Sequence, residues 1–385
     1  MGAAMKRKIN IIFITIFILG ISMPYLLAHR DRDGRVSEME NRTLAAYPSI
    51  RTEEGGFNNA YLTDFESWLN DNLRGRTVVV AADATLQYVL FERIVKSDTM
   101  MGEKPWLFVN DESMIKEYQH LNLLSEEELR RYTEKMQGIS DYLQERGIAF
   151  YYFQCYDKEA IYPEKYVNGI NQTGADSRAD QIVKALEENT DVRLIPVKDA
   201  MLAHKDELIY YQYVDLLHWN ERGSYYGYQV LLEELHKDFD EIPILQEEDF
   251  VITEMEEKTE LYGYEYPYTE MVPIYSVRDP HAREITEETT ETWDFLHVKE
   301  HTHDFINETC ENDLRILVFG DSFVRMYLKE DLAESFAATL SIDWANIPIL
   351  DEVVEAYKPD IVIIENTQKA LDNTISIISQ VDFAE

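Results

Sequence analysis

Residues 9–28 form a predominantly apolar run of twenty residues without a charge, set behind the basic cluster Lys6-Arg7-Lys8. Wound as a helix, such a run spans roughly 30 Å, the thickness of a bilayer core. The pattern predicts a membrane-crossing helix. Basic residues before the run, with Arg30, Arg32 and Arg35 diluted by acids after it, put the N-terminus in the cytoplasm and the rest outside. A cleaved signal peptide is the rival reading, but the run exceeds a usual signal core and Leu26-Leu27-Ala28 is a poor cleavage site. Both readings export the remainder of the chain.

Residues 30–59 are polar, with Pro48 and Gly55-Gly56, and read as a linker. Over 60–95 the apolar positions take helical spacing (Leu62, Phe65, Trp68, Leu69), which predicts a helix pair packed on the main domain. Trp106-Leu107-Phe108 reads as a short strand. Ser125 and Glu128 form a capping box that opens a helix to about residue 145, stopped by Gly147. A strand over 148–154, a helix over 178–188 and a strand over 192–197 make a βαβ unit, hence a parallel sheet with helices on both faces. A tyrosine-rich strand over 208–214 and a helix over 223–235 come next. Residues 245–312 break the rhythm: they are acidic and contain Tyr262-Gly263-Tyr264-Glu265-Tyr266-Pro267-Tyr268. They read as an insertion of hairpins and loops whose aromatics either pack on the domain or line a groove. The continuous run Ile316-Leu317-Val318-Phe319 is a strand covered on both faces. A helix over 324–339 is expected next, with Leu328, Leu332 and Phe336 inward, then a buried strand over 358–367 and a C-terminal strand or tail. The layout is therefore an anchor over 1–29, a linker over 30–59 and one domain over 60–385 with an insertion at about 245–312.

The 385 residues, 45% of them apolar and 12% aromatic, suffice for a packed core. With 36 basic residues against 73 acidic the net charge is −37, which argues against nucleic acid or an anionic membrane surface as a partner of the folded part. A neutral or cationic partner fits better. Cys155 and Cys310 read as two buried thiols or one disulfide. No Cys/His cluster has zinc spacing, His301-Thr302-His303 is a lone pair, and neither metal nor cofactor is expected.

Gly320-Asp321-Ser322 sits between strand end and helix start, where a serine hydroxyl lies at the carboxyl edge of a sheet beside unpaired helical N–H groups. That suits an oxyanion; a plain turn capped by serine has the same sequence. Acyl transfer also needs a base in reach of the hydroxyl and an acceptor to hold that base's tautomer. Asp215 and His218 have the spacing for it, although a structural histidine would look alike. Asp215, Ser322 and Glu365-Asn366 each come just after an expected strand, so parallel packing would gather them at one edge.

Gly320-Asp321-Ser322-Phe323 with Asp215-Leu216-Leu217-His218-Trp219-Asn220 resembles the SGNH hydrolase superfamily, and more closely its alginate O-acetyltransferase-like (DHHW) branch. Glu40-Asn41-Arg42-Thr43-Leu44, Asn70-Asp71-Asn72, Trp106-Leu107-Phe108, Lys158 with Ile161-Tyr162-Pro163-Glu164, and the stretch from Lys358 to Glu365 extend the likeness over most of residues 36–370. The resemblance implies a three-layer α/β/α domain with a permuted parallel sheet. It implies an extracytoplasmic enzyme that acetylates a cell-surface or secreted polysaccharide and receives acetyl from a membrane-bound O-acyltransferase partner. Ser322 would be nucleophile, His218 base and Asp215 its orienter. The branch usually has Asp two residues before His, where this chain has Leu216. The Ser322 N–H is the first candidate oxyanion donor and Asn366 the second, a helix cap being its other reading, and Trp219, Tyr262 and Tyr264 are candidate sugar contacts with core packing the alternative for each. An acetyl esterase and a non-catalytic glycan-binding protein of the same fold remain open readings.

Overall fold

The computed structural model describes residues 3–28, 35–37, 42–52, 55–174 and 176–383. Glu40, Asn41 and much of the expected linker lie outside them. The described chain divides into two units, residues 1–97 with 259–267, and residues 98–258 with 268–385.

The larger unit is built on a seven-stranded sheet. In chain order its strands are Ala149–Cys155 (β1), Arg193–Leu194 (β2), Arg283–Glu284 (β3), His303–Ile306 (β4), Arg315–Gly320 (β5), Ala338–Asp343 (β6) and Ile361–Thr367 (β7). Their spatial order is β3-β4-β6-β5-β7-β1-β2. The five from β6 to β2 pair in parallel, whereas β3 and β4 pair antiparallel, so the expected parallel sheet is mixed. The reason lies in the insertion: β3 and β4 return to the edge through loops, and an antiparallel strand needs no crossover helix. The central strands β5 and β7 are buried throughout their apolar runs, as strands covered on both faces must be.

Helices cover the sheet where the pattern places them, at Glu126–Gln144, Arg178–Asn189 and Glu221–Leu235. The Ser125 hydroxyl accepts from the Glu128 N–H while the Glu128 carboxylate accepts from the Ser125 N–H at 2.8 Å. Three expectations give way. The helix over 324–339 ends at Ser335, and Phe336, though buried, is already extended and leads into β6. The strand over 192–197 shrinks to two residues because Val197 starts a helix behind Pro196. The C-terminal stretch is a helix, Leu371–Ile378, not a strand.

The smaller unit holds the helices Ala3–Leu27, Tyr61–Asn72 and Arg76–Phe91. The helix pair over 60–95 and residues 259–267 of the expected insertion fall in this unit. The core of the larger unit runs from Trp106 to Val381 among the described residues. Tyr25 lies 5.9 Å from Phe65 and Tyr47 4.8 Å from Trp68, between ring centroids. Among the described residues no helix is long and apolar enough to cross a membrane. The side chains of Ile9, Ile21, Pro24 and Leu27, all in the apolar run, lie outside them.

Candidate active site

β5 runs directly into the helix Ser322–Tyr327, so Ser322 stands at the carboxyl edge of the sheet in the first helical position. An N–H there has no carbonyl within the helix to receive it. Asp321 caps the turn: its Oδ1 accepts from the Phe323 N–H at 2.9 Å and its Oδ2 from the Thr367 hydroxyl at 2.8 Å. Glu365, fully buried in β7, accepts the Asp321 N–H at 2.7 Å. Burial, and then the neighbouring Asp321, pushes the Glu365 carboxyl well above its usual range. Gly320 is required here for space. A Cβ on it would stand 3.1 Å from Glu365 Oε2 and 3.2 Å from Val324 Cβ.

Asp215 and His218 arrive on a loop. Tyr210 and Trp219 form an isolated antiparallel bridge, and the residues between them make bends, not the strand expected over 208–214. The backbone N–H groups of that stretch are satisfied elsewhere. Those of Gln212, Tyr213 and Val214 donate to the Glu270 carboxylate at 2.6, 3.1 and 3.1 Å. From the other side Lys158, fully buried, donates through Nζ to the carbonyls of Tyr211 and Asp215 at 2.9 and 2.8 Å. Burial pulls its ammonium down to about 8. The loop is thus gripped between a buried cation on its carbonyls and a buried carboxylate on its amides.

Within the loop Asp215 Oδ1 accepts the N–H groups of Leu217 and His218 at 2.7 and 2.8 Å, and Oδ2 meets His218 Nδ1 at 2.9 Å. Burial alone would raise this carboxyl, but the hydrogen bonds it accepts from His218 and from the Leu217 N–H outweigh it and hold it well below the usual range. An ionised carboxylate only accepts, so Nδ1 carries the proton and Nε2 is free to accept. Nε2 stands 2.7 Å from Ser322 Oγ. The structure therefore brings Ser322, His218 and Asp215 into one hydrogen-bonded chain, and the Asp-x-x-His spacing reaches Nδ1 without strain in the loop.

The other expected site residues lie elsewhere. Asn366 is fully buried in β7, its amide oxygen accepting from the Thr374 hydroxyl at 2.9 Å and its amide nitrogen 3.4 Å from Tyr152 Oη, so it presents nothing to a substrate. Trp219 is also fully buried, its ring 4.9 Å from Phe323 and tight against Gly227, where an added Cβ would lie 2.9 Å from the indole. It is core. Tyr264 belongs to the smaller unit and packs on Tyr88 at 5.0 Å, and Tyr262 forms the turn of the same short hairpin. Lys158 was visible only as a motif residue, and Glu270 gave no signal at all. Cys155 and Cys310 are free. Tyr327, whose ring lies 5.9 Å from that of His218, also lines a cavity of about 460 Å³ walled by Glu221, Tyr275, Met326, Glu330, Asp331 and Glu334, with no triad residue on its wall.

Residues 99–345 match the family model described as SGNH hydrolase-like domain, acetyltransferase AlgX. No curated protein matches the chain in sequence. Among solved structures, PatB1 of Bacillus cereus superposes with a TM-score of 0.54 at 15% identity, over 71% of this chain and 97% of its own. A DHHW family protein from Eubacterium siraeum does so with a TM-score of 0.51 at 13% identity, over 74% and 99%. At these identities the likeness is one of fold.

Proposed function

This chain belongs to the SGNH hydrolase-like acetyltransferase family of AlgX, and from that premise we propose that it transfers acetyl to hydroxyls of an exported polysaccharide through an acetyl-serine. The observation that carries the proposal is the unbroken chain of contacts from Ser322 Oγ through His218 to Asp215. His218 Nε2 takes the hydroxyl proton as Ser322 Oγ attacks the acetyl carbonyl, and the carboxylate of Asp215 stabilises the imidazolium that forms. The Ser322 N–H, at the first helical position, is the donor best placed for the oxyanion. Collapse of the tetrahedral intermediate expels the donor's alcohol, which recovers the proton from Nε2, and leaves acetyl on Ser322. A sugar hydroxyl then gives its proton to Nε2, attacks the acetyl-serine and departs as the ester, while Ser322 regains its proton.

Water attacking the same intermediate would make the protein an esterase, so the outcome depends on holding a sugar hydroxyl at high effective concentration. The cavity beside Tyr327 supplies the room, and the carboxylates of Glu330 and Glu334 on its wall favour a neutral or cationic glycan over an anionic one. For location, the reading keeps an anchor in the first helix, with the catalytic unit extracytoplasmic and a membrane-bound O-acyltransferase as donor partner. Support for the anchor comes from the uncharged run over 9–28 and the exposed side chains of Phe13, Ile16 and Phe17. The test is to supply an activated acetyl ester with candidate oligosaccharides and analyse the sugars by mass spectrometry. Acetylated sugar is expected; acetate alone, across glycans from the native polymer, would reassign the protein as an esterase.

A further inference from the structure

The helix Arg76–Phe91 in the smaller unit has two faces that differ in how they are covered. Ala84 is buried, and Tyr88 packs against Tyr264 and Tyr266 at 5.0 and 5.6 Å, which marks the inner face. On the other side Val78, Val79, Leu86, Val89 and Leu90 are 72%, 68%, 56%, 66% and 64% exposed. Their spacing (i, i+1, i+8, i+11, i+12) keeps all five within one stripe of about a third of the helix circumference at roughly 100° per residue. A stripe of this kind normally faces a core, whereas this one faces outward. Apart from Arg76 at its start, the helix has one charged residue, Asp83.

Its ends are different. Arg74 and Arg76 stand at the start, Arg93 and Lys96 just past the end, against only Asp83 and Glu92 over residues 73–96. In a chain of net charge −37 this segment is locally cationic. An apolar stripe with basic residues at its ends is the chemistry of a helix lying in the plane of a membrane, side chains among the acyl carbons and cations at the phosphates. The same unit contains the first helix, and where that helix ends Tyr25 packs with Phe65 at 5.9 Å and Trp68 at 6.3 Å. Amphipathic rings of this sort collect at the bilayer–water boundary.

We propose that the stripe Val78, Val79, Leu86, Val89, Leu90 is a lipid-binding surface on which the helix Arg76–Phe91 rests in the membrane interface. The occupant is the bilayer, not a second copy of this chain. The inference uses the anchor reading only to bring the stripe to its membrane, and the two are tested apart. The full chain, with Cys310→Ser so that only the buried Cys155 thiol remains, is reconstituted in phosphatidylcholine–phosphatidylglycerol vesicles. A nitroxide is carried in turn at Val79→Cys, Leu86→Cys, Leu90→Cys, at Phe17→Cys in the first helix, and at the exposed Glu188→Cys of the larger unit. Relaxation by oxygen, which partitions into lipid, is compared with relaxation by a water-soluble nickel complex. At the three stripe sites oxygen is expected to win severalfold, with the order reversed at Glu188→Cys. Lipid-like readings on the stripe uphold the proposal whatever Phe17→Cys reports, and an aqueous Phe17→Cys would fell the anchor alone. Aqueous readings on the stripe overturn it, as would dipolar broadening between labels at Leu86→Cys with no gain in oxygen access, which would mean that a second copy covers the stripe.

Discussion

Glu270→Ala removes the one side chain that accepts from three consecutive backbone N–H groups of the loop carrying Asp215. Hydrogen bonds to a charged group contribute about 1.5–3 kcal/mol each, but three that share two oxygens do not add, and water will refill part of the space. About 3 kcal/mol is a reasonable loss for the ordered loop, which at roughly 1.4 kcal/mol per factor of ten lowers the population of aligned Asp215–His218 on the order of a hundredfold. The expected outcome is therefore a fall in kcat of that order on a chromogenic acetyl ester, with the fold kept, since the change is below a typical total stability of about 5–15 kcal/mol. Glu270→Gln sharpens the test. Its shape is the same, yet whichever way the amide points, its NH2 group faces at least one backbone N–H, so it should rescue little. Wild-type kcat in Glu270→Gln, or a drop of less than about threefold in Glu270→Ala with a clearly lowered Tm, would refute the idea that this carboxylate aligns the triad.

Lys158→Met should cost at least tenfold in kcat, because the carbonyls of Tyr211 and Asp215 lose their shared donor. The Lys158 ammonium is pulled down to about 8 from an unfolded value of 10.5, so its burial penalty is fully present below about pH 8 and relieved as pH rises towards 10.5. Denaturant titrations should accordingly show the wild type gaining stability on Lys158→Met across that interval. Asp331 is pushed up to about 8 by burial and then by Glu330, Glu221 and Glu334, so its contribution is full at acid pH and lost as pH rises through 8. Asp331→Asn should raise Tm at pH 8–9 and change it little near pH 4. Trp219→Ala should lower stability by about 3–5 kcal/mol as a core truncation does; a higher Michaelis constant for glycan at unchanged Tm would return the indole to the substrate.

Ser322, His218 and Asp215 were legible because the chemistry is written into short local patterns: a glycine turn after an apolar strand, and a carboxylate three residues before an imidazole. The route by which they meet was not. Asp215 comes after no strand; its loop is ordered by Lys158 and Glu270, both more than fifty residues away in sequence, through backbone atoms that leave no trace in side-chain pattern. Trp219 misled because it adjoins the base, although Gly223 and Gly227 at i+4 and i+8 clear a trough for its ring and were the available signal. Asn366 stands next to the end of its strand, where an oxyanion donor is wanted, but β7 is central and buried to its last residue. The helix expected over 324–339 ran on into β6 because Leu340 continues the spacing of Leu328, Leu332 and Phe336. The edge strand β3 and its neighbour β4, two and four residues long, carry too little pattern to be seen.

The central claim is that acetyl passes through Ser322. The most direct test is to mix the full chain with an activated acetyl ester, quench within one turnover, and locate the acetyl group by tandem mass spectrometry before and after adding oligosaccharide. The account predicts acetyl on Ser322 alone, discharged to the sugar as the oligosaccharide is added, and no acetylated peptide in Ser322→Ala. Acetyl-sugar formed at the wild-type rate by Ser322→Ala, or an acetyl group that builds up on another residue and discharges from there, would contradict it.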